Sequence, residues 1–185
     1  MSPMVSTPLT LEHALLGFLR QRPMHAYEMH QQLARAKTLG RVWHLKQSHL
    51  YALLARLENA GYIATSTEQQ GSRPPRKVMS LTAEGQAAFE RWLIEPVAHG
   101  RDFRIEFLAK LFFASENGAA TATLLIDRQR QECDAWLADL GRQVETLAPE
   151  RTYDRLVLRF RVSQIAAIRS WLDVCAETLA PAPSK

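Results

Sequence analysis

Histidine is the side chain that exchanges protons near neutral pH and the one that metals most often take. Four of the six histidines here, His25, His30, His44 and His49, fall in one short stretch. Their spacing does not make a site. His25 and His30 stand five apart, which turns them away from each other on a helix, and neither a cysteine nor a paired carboxylate joins them. The chain has no phosphate-cradling glycine loop, no His-Glu-x-x-His and no Gly-x-Ser-x-Gly elbow. Cys133 and Cys175 occupy heptad positions, where a small buried thiol is the ordinary use. The reading is of a chain that is not an enzyme and that carries no cofactor or metal.

The chemistry on offer is hydrogen bonding and charge. Gln47, Ser48, His49, Tyr51 and Arg56 supply donors along one segment, and Arg73, Arg76 and Lys77 cluster around the turn Gly71-Ser72-Arg73-Pro74-Pro75-Arg76. Opposite a leucine stripe, the first segment presents Ser48, Ala52, Ala55 and Asn59. Small residues at the centre with donors at the rim suit a helix that enters a DNA groove. Ala52 can meet a thymine methyl and Ser48 a phosphate or a base edge, while Tyr51 and Arg56 reach the backbone on either side. A plain solvated face would carry more Glu and Lys.

The elements that must hold these residues follow from the pattern. Thr10 is a candidate N-cap for a helix over Leu11–Arg20, which Arg22-Pro23-Met24 breaks. A second helix runs from about His25 to Ala36, followed by a connector, residues 41–45, anchored by Trp43. Leu50, Leu53, Leu54 and Leu57 recur at helical spacing and define the third helix, which stops at Asn59-Ala60-Gly61. Tyr62–Thr67 and Lys77–Leu81 read as paired strands, and the two prolines between them predict a loop tip outside the ladder. Thr82 caps a fourth helix that runs to about Ile94, before Pro96. The fold class is mainly α: an N-terminal winged helix-turn-helix with a two-stranded wing, then a C-terminal helical domain.

Charge divides the chain in the same place. Residues 1–95 hold eleven Lys/Arg against seven Asp/Glu, and residues 96–185 hold twelve against twelve. The whole excess therefore lies with the candidate groove-entering elements, which suits a polyanion. The expected domains are 1–95 for DNA binding and 96–185 for dimerisation. In the second, a short helix with Phe103, Phe107 and Phe112 ends near Asn117-Gly118. Ile126, Cys133, Leu140 and Leu147 then mark one seam, with Leu137 interleaved. Beyond Pro149, Leu158, Ile165, Leu172 and Leu179 mark another, with Ile168 and Cys175 interleaved. Such seams predict helices packed nearly antiparallel. Tyr153, Val157, Phe160 and Trp171 add apolar surface that one neighbouring helix does not cover, so a homodimer is expected. Its predicted contacts are Ile126, Leu137, Leu140, Leu158, Ile165, Ile168 and Leu172.

No apolar run approaches the roughly 18–20 residues of a membrane span, and no export signal is visible at the start. With two cysteines only, the expected compartment is the cytoplasm, with no membrane partner.

A set of ordered motifs makes the reading specific. Leu15-Leu16-Gly17-Phe18-Leu19, Pro23-Met24-His25-Ala26-Tyr27-Glu28, Ser48-His49-Leu50-Tyr51, Leu57-Glu58-Asn59-Ala60-Gly61-Tyr62-Ile63 and Arg76-Lys77-Val78-Met79-Ser80-Leu81-Thr82-Ala83-Glu84-Gly85 together resemble the PadR family of bacterial transcriptional regulators. Arg104–Phe113 and the two long helices resemble its longer-tailed branch, akin to the virulence activator. The resemblance implies a homodimer that usually represses transcription on double-stranded DNA with a palindromic operator. It also makes a small aromatic compound the candidate effector. On it, the DNA-contacting set is Tyr27, Gln47, Ser48, His49, Tyr51, Ala52, Arg56, Ser72, Arg73, Arg76 and Lys77. Three features depart from the family pattern: Ala26 replaces a glycine, Met79 replaces an aromatic in the second wing strand, and Ser72 is inserted in the wing tip, which keeps its Gly-Arg-Pro character. The alternative reading is a winged-helix protein–protein adaptor without DNA readout, which the basic wing disfavours.

Overall fold

The computed structural model describes residues 12–35, 39–43, 45–70 and 73–179. In chain order it contains α1 (His13–Gln21), α2 (Ala26–Arg35), α3 (Leu39–Val42), α4 (Gln47–Asn59), β1 (Ile63–Gln70), β2 (Arg73–Leu81), α5 (Ala83–Ile94), a 3-10 turn (Gly100–Arg104), α6 (Glu106–Glu116), α7 (Ala119–Thr146) and α8 (Thr152–Leu179). Two compact units result. The first runs to Leu93 and takes in Arg104–Phe113, and the second comprises Ile94–Phe103 and everything from Ala114.

In the first unit the leucine stripe of α4 does what its spacing predicts: Leu50, Leu53, Leu54 and Leu57 are all buried. They join Leu15 and Leu16 of α1, Met29 of α2 and Phe89 of α5 in one core. The predicted cap Thr10 and Leu11 lie outside the described residues, and Glu12 stands at the N-cap of α1. The stop after α4 is built as a Schellman motif. Gly61 takes φ +74, its N–H donates to the Glu58 carbonyl at 2.9 Å, and the Tyr62 N–H donates to Leu57 at 3.0 Å. Thr82 caps α5 as expected, its hydroxyl accepting the Gly85 N–H at 2.9 Å and donating to the Gly61 carbonyl at 2.7 Å. Gly85 has to be small, because a Cβ there would lie 2.0 Å from the Tyr62 carbonyl oxygen.

The wing is longer than its sequence suggests. β1 and β2 pair antiparallel from Ile63↔Leu81 out to Gln70↔Arg73, so the proline-containing segment belongs to the ladder rather than to a loop tip. The reason is topological. In a two-stranded sheet both strands are edges, and the register slips between Glu68 and Gln70, just where Pro74 and Pro75 pass. Prolines are tolerated at such edges and bulges because no ladder donor is required of them.

Residues 104–113 pack with the first unit. The Phe113 ring leaves no space for a Cβ at Gly17, which would meet it at 2.5 Å, and it meets Phe18 and Phe89 edge-on. Lys110 is buried there, its side-chain nitrogen 3.1 Å from Glu106 and 5.2 Å from the centroid of the Trp92 ring. Trp92 in turn donates its indole N–H to Glu106 at 3.1 Å. Charge and cation–π attraction thus offset the desolvation of a lysine.

The second unit is an α7–α8 hairpin. Ile126, Cys133 and Leu140 of α7 and Leu158, Ile165, Leu172 and Cys175 of α8 are buried. Ion pairs Arg130–Asp173 and Arg169–Asp134 cross between the helices in antiparallel register. The Gln129 side chain, fully buried, accepts the Val97 N–H at 2.8 Å and fastens the preceding segment. Burial also pushes both the Cys133 and the Cys175 thiols up to about 11.

This hairpin changes the reading of the dimer contacts. Ile126, Leu140, Leu158, Ile165 and Leu172 are consumed within a single chain, and Leu137 and Ile168 are half-buried there. The short connection at Pro149 brings the second seam back onto the first intramolecularly, so neither waits for another chain. What stays uncovered is another stripe of α8: Tyr153 is 77% exposed, Leu156 61%, Phe160 67% and Val174 53%.

Candidate nucleic-acid interface

The buried leucines turn the opposite side of α4 to solvent. Gln47, Ser48, His49, Tyr51, Ala52, Ala55 and Asn59 are all exposed. The centre of that face is alanine, so a groove wall can approach closely, with amide, hydroxyl and imidazole donors toward the N-terminal end. Lys46, exposed at the N-cap of α4, adds a cation at that end that the sequence reading passed over.

Two further elements flank this face. Tyr27, in the first turn of α2, is 58% exposed, and Arg76 and Lys77 of β2 are exposed as well. Tyr27, Tyr51, Ala55, Arg76, Lys77 and Met79 share a groove of about 900 Å³ between α2, α4 and the wing. Its floor is apolar and its rim cationic, with Glu58 as an exposed acid. Glu28 also lines it, but Arg22 engages that carboxylate and holds it below its ordinary range. The structure therefore brings the predicted Tyr27, Tyr51, Arg76 and Lys77 together. Ser72 and the Arg73 side chain lie outside the described residues.

Arg56 sits differently from its expected role. Its guanidinium pairs with Glu12, a carboxylate buried beside α1, so it ties α4 to α1 instead of standing free beside the groove. The wing has an attachment that no local pattern announces. The Met24 N–H donates to the Met79 carbonyl at 3.1 Å, and the Met79 N–H returns a bond to Met24 at 3.0 Å. One residue on, His25 Nδ1–H donates to the Lys77 carbonyl at 2.9 Å. A carbonyl only accepts, so the proton sits on Nδ1.

A helix with a small, donor-rimmed outer face, seated beside a basic two-stranded ribbon, defines a winged helix-turn-helix protein. Residues 15–91 match the transcriptional regulator PadR-like family, and residues 103–180 match the virulence activator alpha C-terminal family. The chain is 31% identical over 137 residues, 74% of each protein, to the negative transcriptional regulator PadR of Bacillus subtilis. Among solved structures, Bacillus subtilis PadR in complex with operator DNA is 28% identical, covering 91% of this chain and 98% of that one, with a TM-score of 0.45. Bacillus subtilis PadR in complex with p-coumaric acid is 25% identical, covering 92% and 99%, with a TM-score of 0.42. The chain belongs to the PadR-like family of transcriptional regulators. Its relatives are regulators, not enzymes.

Proposed function

We propose that this chain is a sequence-specific DNA-binding repressor that acts as a homodimer, with a small aromatic acid as effector. The observation that carries the DNA reading is the exposed α4 face beside Tyr27, Arg76 and Lys77. α4 enters the major groove through Gln47, Ser48, His49 and Ala52, while Tyr27, Tyr51 and the wing cations hold the phosphates. Repression is the sign borne by the name of the Bacillus subtilis relative. An adaptor without DNA readout has no use for exposed cations at the wing.

The first unit is the DNA reader and the second the dimerisation unit. The uncovered stripe Tyr153, Leu156, Phe160 and Val174 is the surface offered to a second copy, and exposed aromatic side chains of this kind are typical interface anchors. Two copies related by a two-fold axis read a palindromic operator. Among the described residues no helix is long and apolar enough to cross a membrane. The DNA-binding reading supports action in the cytoplasm, the compartment that holds bacterial DNA.

The effector has a candidate seat in the second unit. A cleft of about 460 Å³ there is lined by Trp136 with His99, Arg101, Arg161 and Gln164. A flat ring stacks on the indole, and a carboxylate meets the guanidinium groups.

Selection of bound fragments from random duplexes by the purified protein tests the central reading. The expected result is a two-fold symmetric consensus. Failure to enrich any sequence would overturn it.

A further inference from the structure

We propose that His25, which lines the same groove, is a positioning residue of the DNA interface: it fixes the wing's cations against Tyr27 through its bond to the Lys77 carbonyl. This rests on the DNA-binding reading and adds a residue to it.

A two-stranded ribbon is only marginally stable alone, so something outside the ribbon must hold it. Met24 supplies one hold by exchanging two backbone bonds with Met79. A single paired residue leaves the strand free to rock about that point. The His25 bond falls two residues nearer the tip, on Lys77, which makes a lever arm of roughly 7 Å at the rise of a β-strand. Beyond Lys77, among the described residues, cross-strand pairs with β1 hold the wing, beginning with Thr67↔Lys77 and Glu68↔Arg76. Among the described residues the imidazole is therefore the outermost external hold on β2, and it grips the residue that carries one of the exposed cations. Met24 and His25 lead directly into α2, whose first turn carries Tyr27. Lys77, Arg76 and Tyr27 consequently move as one body while the bond is intact.

The geometry selects the substitutions. Asparagine places an amide nitrogen at the same number of bonds from Cα as Nδ1, so His25→Asn keeps a donor in reach of the Lys77 carbonyl. His25→Gln puts its nitrogen one bond too far, and His25→Ala has none.

The test is binding of the full chain to a fluorescein-labelled operator duplex, taken from random-duplex selection, by anisotropy over a range of salt concentrations. His25→Ala and His25→Gln are expected to bind about 3- to 10-fold more weakly, the worth of one hydrogen bond. Their log–log salt slope should fall by about one, as a wing phosphate contact is lost. His25→Asn should stay within about twofold of the parent chain at unchanged slope. Amide hydrogen exchange around Thr67 and Lys77, read without DNA, should quicken in His25→Ala and His25→Gln alone. Parent-like binding by His25→Ala, equal weakness of Asn and Ala, or a loss of affinity with no change of slope would each overturn the proposal. A parent chain that binds no duplex overturns this proposal together with the DNA reading. A parent that binds while His25→Ala binds equally well overturns this proposal alone.

Discussion

Glu12 and Arg56, separated by 44 positions in the chain, form an ion pair that locks the start of α1 to the last turn of α4. The carboxylate is nearly enclosed, with 8% of its side chain exposed, while 40% of the arginine side chain reaches solvent. The pair aims the groove-entering helix rather than adding to its positive face. Glu12→Ala should therefore lower the unfolding free energy by about 1–3 kcal/mol, as expected for a lost hydrogen bond to a charged group. Urea denaturation checks the loss. Arg56→Ala should leave the salt slope of DNA binding unchanged, because the charge of this arginine is already paired with the Glu12 carboxylate.

The wing cations should behave in the opposite way. Replacing both Arg76 and Lys77 by alanine removes two phosphate contacts, so affinity should fall across all duplex sequences. The log–log salt slope should flatten by about two. Unchanged affinity and slope in a salt titration would show that the wing stands clear of DNA.

On α4, Ala52→Glu puts a carboxylate at the centre of the groove-facing surface. Position 52 is exposed in the free protein, so the fold should survive, as circular dichroism can check. Specific binding should be lost through repulsion and desolvation against the base edges. A folded variant that still binds its operator would show that another face reads the sequence.

The two apolar stripes of α8 should separate in experiment. Phe160→Glu places a charge on the uncovered stripe and should give a folded monomer in sedimentation, with weak DNA binding. Leu172→Ala, in the fully buried seam, should instead cost about 2–5 kcal/mol of stability and leave association untouched in the molecules that stay folded.

On the proposed effector reading, a small aromatic acid should release operator DNA, and Arg161→Glu in the cleft of the second unit should abolish that release while leaving DNA binding itself intact. Anisotropy with and without the acid reads both. Release that persists in the variant would move the effector to another site.

Much of this architecture is legible from spacing alone. The leucine stripe, the Gly61 stop and the Thr82 cap are local signals, each complete within a few residues, and the structure honours all three. What escaped depends on partners far away in the chain. Arg56 looks like a free cation until Glu12 is brought beside it, and the partner of His25 lies 52 positions on. Heptad spacing says that a face is apolar but not which chain covers it, which is why Ile126 and Leu172 looked like dimer contacts. Pro74 and Pro75 suggested a loop because a central strand forbids them, and a ribbon of two strands has no centre.

The two cysteines carry a practical consequence. Both are buried in the α7–α8 seam, and burial pushes both thiols up to about 11, which disfavours the thiolate at neutral pH. Thiol-reactive reagents act on the thiolate and need access to it, and burial disfavours both at Cys133 and Cys175. Both native cysteines should therefore react slowly with such reagents. A single cysteine introduced on the outer stripe of α8 or at the wing would take up label alone, with no need to strip the seam of its own sulfur first.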